Sequence, residues 1–149
     1  MLREPKIVNK PWGHELWVAD GTETPWAVKR IKFLAGNRTS LQVHQIKSET
    51  NYVLSGTGIL FKSLRAFDVE QFLSMGMTPI QVMYYEKHGM EQIVLEPGVV
   101  VNIAACFVHR VAATSDLEFI EVSTPELADV IRLQDDTGRT HGKISSEHM

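Results

Sequence analysis

LQVHQIKSETNYVLSG, residues 41–56, sets the reading of the whole chain. Residues two apart in a strand share a face. Across 40–46 this puts Leu41, Val43 and Gln45 on one side and Gln42, His44 and Ile46 on the other. A turn at 46–48 returns the carboxylate of Glu49 toward the same point, and Gly56 closes the phrase. Gln42, His44 and Glu49 thus have the spacing of metal ligands projected from a strand. A fourth donor should come from a different strand, and His109, near the start of a later β-rich run, is well placed. Two imidazoles, an amide oxygen and a carboxylate suit a divalent metal: zinc, manganese or iron, with nickel and cobalt also compatible. A position left for water or substrate makes such a site catalytic rather than structural.

Outward from this stretch the chain reads as a series of short strands. WAVKRIKFL (26–34), NYVLSG (51–56), TGILFK (57–62), EQIVLEPG (91–98), VVVNIA (99–104), VHRVAAT (108–114) and LEFIEVS (117–123) are rich in β-formers. Gly36, Gly56, Gly58, Pro97 and Gly98 break them at short intervals. That pattern predicts an all-β sandwich or barrel. Two segments depart from it. In 63–77, Leu64, Phe67, Gln71 and Phe72 fall at roughly helical spacing before Gly76, predicting a helix followed by an apolar piece at 80–86. PELADVIRLQ (125–134) is a second helix or turn candidate, with Pro125 at its start.

The span Gly36–Gly56 resembles the first cupin motif, with Gln42 in place of the first histidine and His44, Glu49 and Gly56 in register. Gly98 and His109 resemble the second motif, while Ala104, Cys106 and Ala113 replace its proline, glycine and asparagine. PWG (11–13), VKRI (28–31), SLQVH (40–44), VLSGTG (53–58), EPG (96–98), IEV (120–122) and VIRLQDDTGR (130–139) look like the cupin domain of type II mannose-6-phosphate isomerases. The resemblance covers most of the chain and fails mainly across 62–92. It implies a single cupin domain over 1–149, a double-stranded β-helix or jelly-roll barrel with a short helical insertion. Residues 1–10 would be an N-terminal extension, 62–92 the insertion and 140–149 a frayed tail. It also implies that Gln42, His44, Glu49 and His109 are the ligands and zinc the usual metal. The expected activity is isomerisation of a sugar phosphate, with mannose 6-phosphate to fructose 6-phosphate as reference, by a homodimer.

Aldose–ketose isomerisation moves a proton between adjacent carbons, and needs an electrophile on the oxygens and a base near the carbon acid. A divalent metal answers the first need, and a neutral Gln42 in place of an anion leaves it more electrophilic. Lys47 and Glu49 are the candidates for proton transfer, a metal-held glutamate being the poorer base. Lys29, Arg30, Arg38, Lys47, Arg132 and Arg139 are the cations available to a phosphate. Arg139 stands first, at the end of the DDTGR phrase, where it either binds the phosphate or stabilises the enediolate. A non-catalytic sugar- or metabolite-binding cupin is the alternative, ahead of an iron dioxygenase, which Gln42 disfavours.

Other residues take plainer expectations. Trp12, Trp17 and Trp26 cover one end of the barrel, and His14, His88, His141 and His148 lie at the surface. Cys106 is a buried small residue, and Met75, Met77, Met83 and Met90 pack the insertion. With 149 residues, 44% hydrophobic and 22% charged, the chain suits one globular domain, and its net charge of -3 argues against nucleic-acid binding. The first residues carry no apolar core of a signal peptide, and no run reaches the roughly 18 apolar residues of a membrane span. One cysteine forms no internal disulfide, so a reducing, cytoplasmic location is expected.

Overall fold

The computed structural model describes residues 2–134 and the backbone of 142–144. Ten strands and two short helices precede the last pair of strands. The strands are β1 (Lys6–Lys10), β2 (Gly13–Asp20), β3 (Ala27–Phe33), β4 (Leu41–Val43), β5 (Glu49–Ser55) and β6 (Gly58–Ser63). After the helices α1 (Val69–Met75) and α2 (Pro79–His88) come β7 (Met90–Leu95), β8 (Val100–Ile103), β9 (His109–Ala113), β10 (Leu117–Ser123), β11 (Val130–Gln134) and β12 (Gly142–Ile144). They form two six-stranded antiparallel sheets, in the orders β1-β2-β3-β10-β5-β8 and β12-β11-β4-β9-β6-β7.

The sheets close on a shared core. Ile31, Phe33, Val53, Val101, Ile103 and Phe119 from the first sheet meet Leu60, Leu95 and Val111 from the second. Trp12 stacks on Phe33 at a centroid distance of 4.4 Å, so it belongs to this core. Trp17 is buried in a smaller cluster with Ala27 and Leu127, and Trp26 is about half exposed. The three tryptophans therefore do not form one cap. The segment 6–10, expected to be an extension, is β1 and pairs with β2 from Lys6↔Trp17 to Lys10↔Gly13.

β4 and β11 of the second sheet are covered on both faces, and this decides where the insertion sits. Leu41, Val43, Val108, Ile131 and Leu133 point away from the barrel and pack against Val69 of α1 and Val82 of α2. Arg110, next to His109 and so facing outward, donates from Nε to the Thr39 carbonyl at 2.9 Å and pairs with Glu86 of α2 at 3.3 Å. The region 63–88 holds two helices rather than one helix and an apolar piece. Asp68 caps α1, accepting from the Gln71 N–H at 3.0 Å. Thr78 and Gln81 form a reciprocal capping box, and Pro79 begins α2. That Thr-Pro-x-Gln phrase is the start signal that apolar spacing alone overlooked.

The reading of 125–134 as a helix or turn holds only for its first half, where the Asp129 N–H donates to the Glu126 carbonyl at 3.2 Å across a turn, and is corrected beyond it. Val130–Gln134 is a strand, β11, paired with β4 through Ile131↔Val43 and Arg132↔Gln42. Val130 and Arg132 face the barrel while Ile131 and Leu133 face the helices. A strand covered on both faces loses the apolar–polar alternation that would have marked it.

Candidate metal centre

β4, β5 and β9 bring the chemical groups together. Gln42 registers directly opposite His109, so the two side chains emerge on the same face of the second sheet. β4 ends at Val43, and His44 follows it into the loop that leads to β5. Glu49 opens β5 from the opposite sheet. His44 Nε2 lies 3.3 Å from Glu49 Oε1, and His109 Nε2 lies 3.5 Å from the same oxygen. The ligand atoms of His44, Glu49 and His109 all lie within 4.8 Å of one another, and all three side chains are buried.

This donor set fits a divalent ion. Donors each about 2.1 Å from an ion stand about 3.4 Å apart at tetrahedral angles, close to the 3.3 and 3.5 Å that separate Glu49 Oε1 from the two histidines. Each imidazole is also fixed in the required tautomer. His109 Nδ1–H donates to the Phe107 carbonyl at 3.1 Å, and His44 Nδ1–H donates to the Asp129 carbonyl. Both Nε2 lone pairs therefore face Glu49. Burial lowers the His109 pKa to about 4, against the pull of Glu49, so this imidazole is neutral near pH 7. A neutral ring is a metal ligand rather than the cation of a salt bridge. Gln42 lines the same chamber, its Oε1 accepting from Ser40 Oγ at 3.2 Å.

The chamber has a volume of about 70 Å³. None of the residues lining it comes from 62–92, so the insertion braces the outside of the barrel rather than covering the site. Lys47, buried, sends Nζ to Glu121 Oε2 at 3.2 Å. Burial opposes the charge on Lys47, but Glu121 and Glu49 raise its pKa above the usual lysine value. Burial would likewise raise Glu49, yet the Lys47 charge and a hydrogen bond from Glu121 hold it well below the usual carboxylate range. Glu121 takes the other half of the pair: burial and the neighbouring Glu49 charge push it up to about 8.

The expected cations separate by the alternation of their strands. Lys29 lines the chamber but is locked, with Nζ 3.2 Å from Glu15 Oε1 and 4.7 Å above the Trp17 ring. Arg132 is buried and lines the chamber beside Gln42. Arg30, one residue on from Lys29, points outward and pairs with Glu118 at 3.1 Å, and Arg38 is exposed on a bridge to Ala112. Those two assignments are corrected: neither side chain lines the chamber. Arg139, like His141 and His148, lies outside the described side chains.

Three residues went unnoticed in the sequence. Asp129 accepts the backbone N–H groups of Gln45, Ile46 and Lys47 at 3.1, 2.7 and 2.9 Å, while its carbonyl holds His44. Glu121 sits in the IEV phrase, and only cross-strand register with β5 reveals it as a neighbour of the site. Asn51, two residues beyond Glu49 on the same face, could have been found from strand alternation. Cys106, expected to be an ordinary buried residue, is half-buried and has φ 70°, in the left-handed region. That backbone is one glycine adopts without strain, and with the Cys106 N–H donating to the His44 carbonyl the turn before His109 closes despite the altered motif.

No family model and no curated protein matches the chain. Solved structures do resemble it. CapF from Staphylococcus aureus, a capsular polysaccharide assembling protein, gives a TM-score of 0.63 at 14% identity over 90% of this chain and 33% of that one. KdgF from Halomonas sp. gives 0.58 at 18% identity over 83% of this chain and 89% of that one. Oxalate decarboxylase from Bacillus subtilis, a protein with Mn(II) centres, gives 0.60 at 18% identity, covering 88% of this chain and 30% of that one. This chain thus spans about a third of the CapF and oxalate decarboxylase chains. Together with the two sheets, these likenesses define a cupin β-barrel fold. Its barrel holds a buried His–Glu–His group able to hold a metal ion.

Proposed function

We propose that the chain is a metal-dependent aldose–ketose isomerase acting on a sugar phosphate, with mannose 6-phosphate to fructose 6-phosphate as the reference reaction. One observation carries the reading. The metal-competent His44, Glu49 and His109 share one chamber with a buried lysine–carboxyl pair and with Arg132. His44, Glu49 and His109, with Gln42 as a neutral fourth donor, would hold the ion. Zinc leads the candidates, and manganese, iron, nickel and cobalt follow. The ion would supply Lewis-acid polarisation of the substrate oxygens. Lys47, oriented by Glu121, and Glu49 are the groups placed to hold or move a proton. Arg132, with Arg139 on the strength of the sequence, would bind the anionic group. Likeness to a capsular polysaccharide assembling protein supports a carbohydrate substrate. The same reading takes the protein as a cytoplasmic homodimer without nucleic-acid or membrane partners. Among the described residues, no helix is long and apolar enough to cross a membrane.

The test is ketose formation from a panel of phosphorylated aldoses, with zinc, manganese or cobalt supplied. Metal-dependent turnover is expected, and His109→Ala should weaken metal binding and turnover by at least about a hundredfold. Stoichiometric metal binding with no ketose from any member of the panel would overturn the isomerase. One observation favours a second reading, binding of a small metabolite without turnover. The chamber, about 70 Å³, is small beside the roughly 300–1,000 Å³ of ordinary ligand pockets.

A further inference from the structure

Asn51 stands next to the metal-competent group and is bound on one side only. It is 3% exposed and lines the chamber, facing inward from β5 with Glu49 and Val53. Its cross-strand neighbours are Glu121 and Val101. The amide Nδ2–H donates to Glu49 Oε2 at 3.3 Å, the carboxylate oxygen other than the one that faces the two histidines. This bond fixes the amide's direction, because the flipped amide would set a carbonyl oxygen against a carboxylate oxygen. Asn51 Oδ1 is therefore the free end, and it is buried with no hydrogen-bond partner among the described residues.

A buried acceptor without a donor keeps the full desolvation cost of the atom, and folded proteins retain few of them. Neither cross-strand neighbour supplies a donor: Val101 has none in its side chain, and the Glu121 carboxyl gives its hydrogen bond to Glu49. The donor that completes Asn51 has to enter the chamber. We propose that Asn51 Oδ1 is a binding point for a hydroxyl of the ligand, accepting its O–H beside the metal-competent group. A polyhydroxylated molecule offers that donor in the ligand class already argued for the site, on which this proposal rests. A deoxy analogue would leave the acceptor buried and unpaired, which is how such a site discriminates.

The experiment compares wild type with Asn51→Thr by calorimetric titration in the presence of cobalt(II). The threonine hydroxyl still offers Glu49 a donor but removes the amide carbonyl. Two probe pairs are used, each differing by one hydroxyl: mannose 6-phosphate with 2-deoxyglucose 6-phosphate, and glycerate with lactate. In at least one pair, wild type should prefer the hydroxylated member about tenfold, the worth of one buried hydrogen bond. Asn51→Thr should bind both members of that pair alike, with cobalt affinity within about threefold of wild type by its visible absorption. Asn51→Ser, smaller still, serves the same comparison if the threonine variant does not fold. Preference in the glycerate pair alone would keep Asn51 and overturn the sugar phosphate as ligand. The proposal is overturned if a variant keeps the wild-type preference, or if wild type shows no preference in either pair.

Discussion

The loop before β5 and the loop before β9 deliver the two halves of the candidate metal centre, and they are held in different ways. The first is built from side chains suited to their places. The Asp129 carboxylate gathers three successive N–H groups of 45–47, and at the far end of β5 Gly56, at φ 80°, turns the chain across to β6 in the other sheet. The second has lost the proline and glycine of its motif, and borrows its shape from the first. The Cys106 N–H donates to the His44 carbonyl at 2.6 Å, and the Ala105 N–H to Ser48 Oγ at 3.0 Å. Its far side is tied to the insertion, where the Phe67 N–H donates to the Cys106 carbonyl at 2.7 Å. A degenerate motif can still place a ligand when its backbone is templated on an intact one.

If β5, which opens on Glu49, is the rigid support of the first half, damage at its far end should cost most. A Cβ at position 56 would lie 1.9 Å from the Asp116 carbonyl oxygen and 2.8 Å from Leu117 Cα, both backbone atoms that cannot swing away. Gly56→Ala should therefore destabilise the fold by about 3 kcal/mol or more, from the clash and the left-handed backbone together. Urea unfolding measures this. A loss below about 1 kcal/mol would mean that the turn from β5 to β6 adjusts freely and does not anchor the strand that carries Glu49.

A smaller effect is expected at Asp129, which joins the template to His44. Asp129→Asn keeps the size and the main-chain carbonyl but weakens acceptance of the three loop N–H groups. Metal affinity should fall about tenfold, the lower end of what supporting residues around metal ligands contribute. Competition against a chromophoric chelator would measure it. Unchanged affinity would show that the Asp129 carbonyl alone positions His44.

The contrast between the two loops also explains how much the sequence revealed. Gln42, His44 and Glu49 were legible because strand alternation and a short turn fix their relation locally, within a few residues. His109 was legible as a β-start histidine, but not as the partner registered across from Gln42. Arg30 and Arg38 were misjudged because charge was read without the inward–outward phase of the strand; Lys29 and Arg132 share the right phase. Asp129, Glu121 and Asn51 act through register between distant strands, which no local spacing encodes. The strand at 130–134 was hidden for a related reason. The two helices bury its outer face, and so erase the alternation that normally marks a strand at a surface.

The smallest expected effect runs in the opposite direction, and it tests the second loop directly. Cys106 holds φ 70°, where an L residue is strained by about 1–2 kcal/mol and glycine is not. Part of that gain is offset by the extra backbone entropy a glycine loses on folding, about 0.5–1 kcal/mol. The thiol contributes little against this, since its one hydrogen bond among the described residues is a long 3.6 Å approach to the Gln45 carbonyl. Cys106→Gly should therefore stabilise the protein by about 0.5–1 kcal/mol, a rise of roughly 2–4 °C in Tm at most for a chain of this size. Metal affinity should not change, because the N–H and carbonyl that tie residue 106 to His44 and Phe67 belong to the backbone and survive the substitution. A fall in Tm would mean that the thiol, rather than the borrowed backbone bonds, holds the turn that presents His109.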